Sequence, residues 1–110
     1  MSECVFCKII KKEVPSDIVF ENERVIVFKD INPKAKVHLL VVPKEHITSI
    51  KEIKEENKTL IAELIFVAKK IAEEQNLTGY KLIFNVGREG GQLVDHIHLH
   101  LVSGDLREMP

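Results

Sequence analysis

The 110-residue chain has no tryptophan, one tyrosine, two cysteines and four prolines. It has no excess of either charge, with 16 Lys and Arg against 17 Asp and Glu and a formal net charge of -1. Without surplus positive charge it cannot neutralise phosphates along a polymer, so a nucleic-acid-coating role is excluded. Its apolar runs are too short to span a bilayer, which excludes a membrane partner of that kind. Residues 1–14 lack the basic segment, apolar stretch and small-residue cleavage site of a signal peptide, so a cytoplasmic location is expected. In that reducing setting a structural disulfide is disfavoured. What remains is ordinary for a soluble protein: 45% apolar and 30% charged residues. That composition and length suit one domain, residues 1–110, with a real core.

Two features rise above this background. The cysteines form a Cys4-Val5-Phe6-Cys7 pair, and three of the five histidines are His96, His98 and His100. A thioredoxin-like CxxC follows a strand and opens a helix, whereas this one stands at the extreme N-terminus with no strand before it. A metal-binding pair is the better reading.

Ile9 and Ile10, followed by Lys11-Lys12-Glu13, suggest a short amphipathic helix ended by Pro15, because the residue before a proline is steered away from helical geometry. Segments 17–21, 24–29, 37–42, 80–86 and 95–102 are rich in Val, Ile, Leu and Phe and predict five strands. Ser49 to Glu52 has capping-box spacing, and Leu60, Ile61, Leu64, Ile65, Ala68, Ile71 and Ala72 recur at helical spacing, predicting one long helix over 56–75. Strands joined by short turns plus one long helix predict an α+β domain: a five-stranded antiparallel sheet covered by helix on one face.

Side chains alternate across a strand, so His96, His98 and His100 share one face and Ile97, Leu99 and Leu101 the other. The apolar face should meet the long helix, leaving a row of imidazoles on the opposite side. Such a row supports two chemistries. It can ligate a catalytic metal with open positions for substrate, or one imidazole can attack phosphorus while its neighbours bind the phosphate oxygens. Gly87, Gly90 and Gly91, with the amide of Gln92, could offer an anion their N–H groups just before the row, which favours phosphate. For a metal at Cys4 and Cys7, two histidines would complete a tetrahedral shell, but spacing does not choose among the five.

Asp95-His96-Ile97-His98-Leu99-His100-Leu101-Val102, preceded by Gly90-Gly91-Gln92, resembles the signature of the histidine triad superfamily. Residues 6–15, Phe28-Lys29-Asp30-Ile31-Asn32-Pro33, residues 37–46 with Pro43-Lys44-Glu45-His46, and Asn85 with the glycines after it resemble the Hint branch of nucleotide phosphoramidases in order and spacing. The resemblance implies a homodimer whose two sheets join into one. It implies that His98 attacks the α-phosphorus of a purine nucleoside 5'-phosphoramidate or related adenylated conjugate, giving a nucleotidyl-histidine that water cleaves to AMP or GMP.

On the same ground, His100, Asn85, Gly91, Gln92 and Leu93 would hold the phosphate, and Asp30 the ribose hydroxyls. Phe6, Ile9, Phe28 and Ile31 would form the slot for the base, and His38 would support the catalytic histidine or serve only as a buried residue. Superfamily members with this CxxC bind zinc through histidines that map to His46 and His96, so Cys4, Cys7, His46 and His96 are the expected structural zinc ligands. One position departs from the branch: Leu93 stands where a serine is usual, removing a hydroxyl near the leaving group. Two alternatives accompany this reading, a metalloenzyme using the histidine row and a zinc-stabilised nucleotide-binding or interaction protein with little catalysis.

Overall fold

In the computed structural model, residues 4–104 and 106 are described. The chain runs through α1 (Val5–Ile10), β1 (Ile18–Glu21), β2 (Val25–Lys29), β3 (Val37–Pro43), α2 (Lys58–Glu74), β4 (Lys81–Phe84) and β5 (Leu99–Ser103). The five strands form one antiparallel sheet in the order β1-β2-β3-β5-β4. The α+β architecture expected from the sequence is therefore present. Among the described residues no helix is long and apolar enough to cross a membrane.

The pleat sorts the core into two layers. Val25, Val27, Leu39, Val41, Leu99 and Leu101 point to one face, where they pack with Leu60, Leu64, Val67, Ala68, Ile71 and Ala72 of α2. Leu64 is wholly buried there, so Leu64→Ala should cost about 2–5 kcal/mol from lost transfer energy and a residual cavity. Ile26, Phe28, Leu40 and Val42 point to the other face and meet Phe6 and Ile9 of α1. The short helix thus covers only part of the second face. In β3 and β5 that face also receives His38 and His100, with Leu40 opposite His100 in the register.

Three details differ from the sequence-based expectation in ways that matter for the core and the site. Ser49 accepts a hydrogen bond from the Lys51 N–H and caps a separate 3-10 turn, Ile50–Glu52, while α2 begins eight residues later. Ile65, on the expected apolar stripe of α2, is largely exposed, and Val67 takes an inward place. The last strand begins at Leu99, not at residue 95. Its ladder with β3 stops at the Val41–Leu99 pair, two residues short of Pro43. Proline has no N–H to extend the pairing. The Pro43 carbonyl instead accepts from the His96 ring, and Ile97 N–H donates to the Ile47 carbonyl, so residues 96–98 leave the sheet. Ile97 still enters the helix-side core, so the inward-outward alternation survives without the strand.

Candidate active site and metal centre

The segment carrying His96, His98 and His100 serves two separate clusters. Cys4 caps α1, its sulfur accepting the Cys7 N–H at 3.2 Å. His46 follows β3, and His96 is completely buried. Sulfur to Nδ1 distances are 3.3 and 3.6 Å from Cys4 to His96 and His46, and 3.6 and 3.2 Å from Cys7 to the same rings. The two Nδ1 atoms lie 3.1 Å apart. A tetrahedral ion at about 2.3 Å from sulfur and about 2.0 Å from nitrogen would set sulfur and nitrogen about 3.5 Å apart and the two nitrogens about 3.3 Å apart, close to the separations here.

The protonation states agree with this geometry. A carbonyl oxygen can only accept, so the 2.8 Å contact with Pro43 O places the His96 proton on Nε2 and leaves the Nδ1 lone pair facing the sulfurs. Burial, the largest cause, pushes the His96 pKa down to about 4, which keeps that ring neutral and able to ligate. Two thiolates and two neutral imidazoles form the donor set of a structural zinc site, and the residues present fit that ion. The sequence-expected ligands Cys4, Cys7, His46 and His96 are brought together as a set.

His98 is protonated the opposite way. Its Nδ1 donates to the His96 carbonyl at 2.8 Å, so Nε2 carries the lone pair. Burial lowers its pKa, opposed by that hydrogen bond and by the Asp30 charge. Phe6, which lies between the two cysteines in sequence, stands edge-on to the His98 ring at 5.0 Å and to Phe28 at 5.5 Å. The CxxC segment therefore supplies a wall of the site as well as two of the four groups that could hold a metal.

His100 is set by a relay. The Lys34 N–H donates to His38 Nδ1 at 3.0 Å, leaving the His38 proton on Nε2. That proton points at His100 Nδ1, 2.9 Å away, with Asp30 Oδ2 at 3.4 Å. His100 therefore carries its own proton on Nε2, a donor available to an anion. Burial, then the nearby His98 and His38, push its pKa down to about 4. Asp30, His38 and His100 also lie close enough to suggest a second metal cluster. However, the 2.9 Å contact is a hydrogen bond between rings, and His38 has both nitrogens engaged. This geometry favours the relay over the metalloenzyme alternative.

His38, His98, His100 and Asp30 line one cavity of about 510 Å³ with Phe6, Ile9, Phe28 and Leu40. That volume suits a small organic ligand. Phe6, Ile9 and Phe28 are nearly buried, while Ile31, expected in the same slot, is 86% exposed and stands at the rim. Asn85 also lines the cavity, and its side-chain amide donates to the Gly90 carbonyl at 2.9 Å. Gly91 adopts φ +89°, a conformation that side chains resist, and packs beside Asn85.

The phosphate loop differs from the expectation. The N–H groups of Gly87, Gly90 and Gly91 are already bonded, to Gln92 Oε1, Gly87 O and Arg88 O. Gln92, expected on the phosphate, is 2% exposed and absent from the cavity lining. Its Nε2 donates to the carbonyls of Thr48 and Val94. Among the described residues, the N–H groups of Leu93 and Val94 make no hydrogen bond, and both residues line the cavity. Sequence reasoning passed over Val94 as an ordinary apolar position, and nothing in its residue type signals a free N–H. Leu93 itself is 81% exposed.

Comparisons with known proteins bear on the family and the fold. A family model described as scavenger mRNA decapping enzyme C-term binding matches residues 3–109. The chain is 43% identical over 104 residues to a purine nucleoside phosphoramidase of Escherichia coli (strain K12), covering 93% of this chain and 87% of that one. It is 41% identical over 112 residues to a 14 kDa zinc-binding protein of Zea mays, covering 99% and 88%. A HIT family hydrolase from Legionella pneumophila has a similar solved structure, with TM-score 0.94, 44% identity and 98% coverage of both chains.

Proposed function

The chain belongs to the histidine triad family, and from that premise we propose that it hydrolyses purine nucleoside 5'-phosphoramidates, or related adenylated conjugates, through a nucleotide bonded to His98. The observation that carries the reading is the pair of opposed tautomers in one cavity, a lone pair on His98 Nε2 and a proton on His100 Nε2. One ring can form a bond to phosphorus while the other donates to its oxygens.

In the first step the His98 lone pair attacks the α-phosphorus, the phosphorus to amine bond breaks, and the amine leaves with a proton. The His96 carbonyl, accepting from Nδ1–H, steadies the positive charge that the ring gains as Nε2 bonds to phosphorus. In the second step water attacks the same phosphorus, the bond to Nε2 breaks, and the nucleoside monophosphate is released. Leu93 has no proton to give the departing amine, so this proton comes from solvent, to which Leu93 is open. Asp30 receives the ribose hydroxyls, and Phe6, Ile9 and Phe28 receive the base.

Zinc at Cys4, Cys7, His46 and His96 would tie α1 to the end of β3 and to the segment before His98, a structural task that leaves His98 and His100 free for phosphate. A homodimer is proposed on a separate ground. Strand β4 is a sheet edge, and Leu82 within it and Tyr80 just before it, like Phe66 on α2, expose apolar surface.

The test is incubation with an adenosine 5'-phosphoramidate, followed by mass spectrometry for released AMP and for an AMP adduct. Wild type should give both, and His98→Ala should release AMP slower by several orders of magnitude. Turnover that persists in His98→Ala, or that disappears on metal removal while His98 and the fold are intact, would sink the mechanism. Binding of AMP without turnover would favour a nucleotide-binding protein.

A further inference from the structure

Gln92 lies one residue from the cavity wall, yet its side chain turns away from the cavity. All of its amide capacity on that side is used inside the protein. Oε1 accepts the Gly87 N–H at 3.0 Å, and Nε2 donates to Thr48 O at 2.6 Å and Val94 O at 3.0 Å. The Gln92 N–H also donates to Gly87 O at 3.0 Å. One buried side chain therefore fastens both ends of the glycine loop, the chain after His46, and the residue two before His96. Arg88 adds an outer brace by donating to Gln92 O and pairing with Asp95.

The consequence falls on the next two residues. With Gln92 held inward on one side and the Val94 carbonyl held by Nε2 on the other, Leu93 is turned outward, and the Leu93 and Val94 N–H groups are left without protein partners among the described residues. Two adjacent, unbonded N–H groups beside a cavity form an anion-binding element. The glycine N–H groups cannot serve, because the loop consumes them.

We propose that Gln92 is a positioning residue that never touches the substrate and holds the Leu93 and Val94 N–H groups ready for the nucleotide phosphate. The inference deepens the nucleotide reading above and rests on it. Gln92→Met keeps the length of the side chain and removes its hydrogen bonds. Gln92→Glu keeps an acceptor for Gly87 but sets a carboxylate oxygen against two carbonyls.

The decisive measurement is the ratio of AMP to adenosine affinity by calorimetry, with zinc content and melting temperature recorded alongside. In both variants AMP should weaken roughly tenfold, the order of one lost hydrogen bond to a charged group, while adenosine stays within about twofold. In wild type, the amide proton signals of Leu93 and Val94 should move on adding AMP and stay in place with adenosine, a readout that needs no variant. A wild-type ratio retained in both variants, a parallel loss of adenosine affinity, or unmoved Leu93 and Val94 signals would each overturn the role of Gln92 while leaving the nucleotide reading intact. A wild-type protein that binds adenosine as tightly as AMP would instead take down the reading and the inference together.

Discussion

His96 and His98 are two residues apart, buried to nearly the same degree, and neutral for the same reason, yet they face different chemistry. In His96 the Pro43 carbonyl takes the Nε2 proton and turns the Nδ1 lone pair toward two sulfurs. In His98 the His96 carbonyl takes the Nδ1 proton and leaves the Nε2 lone pair on a ring that lines the cavity. A single carbonyl acceptor decides which nitrogen of a buried imidazole keeps its lone pair, and so whether that lone pair faces the two sulfurs or belongs to a ring lining the cavity. The two clusters are also joined, because His96, which lies in the Cys4-Cys7-His46 cluster, supplies the carbonyl that fixes the tautomer of His98, and Phe6, between the two cysteines, packs on the His98 ring.

The largest effects come from breaking one centre and reading the other. Cys7→Ala should remove zinc, measured by metal analysis, and lower the melting temperature by roughly 10 °C, since a structural metal contributes its binding energy to folding. His98→Ala should abolish turnover and leave zinc content unchanged. Zinc lost in His98→Ala, or retained in Cys7→Ala, would show that the two sets of ligands are wrongly divided.

Next in size is Asp30→Asn. Asp30 is assigned to the ribose and also lies 3.4 Å from His38. The substitution should weaken adenosine roughly ten- to a hundredfold and erase the preference for ribose over 2'-deoxyribose, a contribution of about 1.5–3 kcal/mol for a hydrogen bond to a charged group. An undiminished preference for the ribonucleoside would move the ribose contact elsewhere.

The effect of pH is smaller and has a definite sign. The His100 pKa is about 4 in the fold and near 6.5 when the chain is open, and it is faced by His98, His38 and Asp30. Between those values the unfolded chain binds more protons, so stability is full above about pH 6.5 and falls as pH drops toward 4. Melting temperature measured across that range should decline, and His100→Asn should flatten part of the decline. A slope unchanged by His100→Asn would mean that the other buried rings carry the whole effect.

The smallest expected effect is Leu93→Ser. Restoring a hydroxyl at the loop should raise the rate on an amine phosphoramidate roughly two- to tenfold, below the roughly hundredfold or more of a fully positioned proton donor because solvent already supplies the proton, and leave adenosine affinity unchanged. An unaltered rate would mean that solvent protonates the amine without help.

Much of this was legible before the fold. The stripe in α2, apart from Ile65, and the inward Ile97, Leu99 and Leu101 follow from periodicity, because burial on one face imposes a repeat on residue choice, whereas β2 and β3 are apolar on both faces and carry no such repeat. The Cys4-Cys7 spacing pointed to a metal-binding pair, but the two histidines gathered beside it lie 39 and 89 residues beyond Cys7, and no local pattern spans that distance. The expectation for Gln92 failed because a polar residue beside a glycine loop looks the same whether its amide faces a ligand or the protein.

The sequence by itself determined the two faces of the sheet, the helix that covers one of them, and the residue types available for metal and phosphate, since these depend on period and side-chain chemistry. Only the tertiary structure decided which nitrogen of each histidine carries the proton, which N–H groups the loop leaves free, and where the last strand begins. Those choices are made by carbonyl groups such as Pro43 O, His96 O and Thr48 O. Every residue has a carbonyl, so no residue type marks the ones that matter until the chain has folded around them.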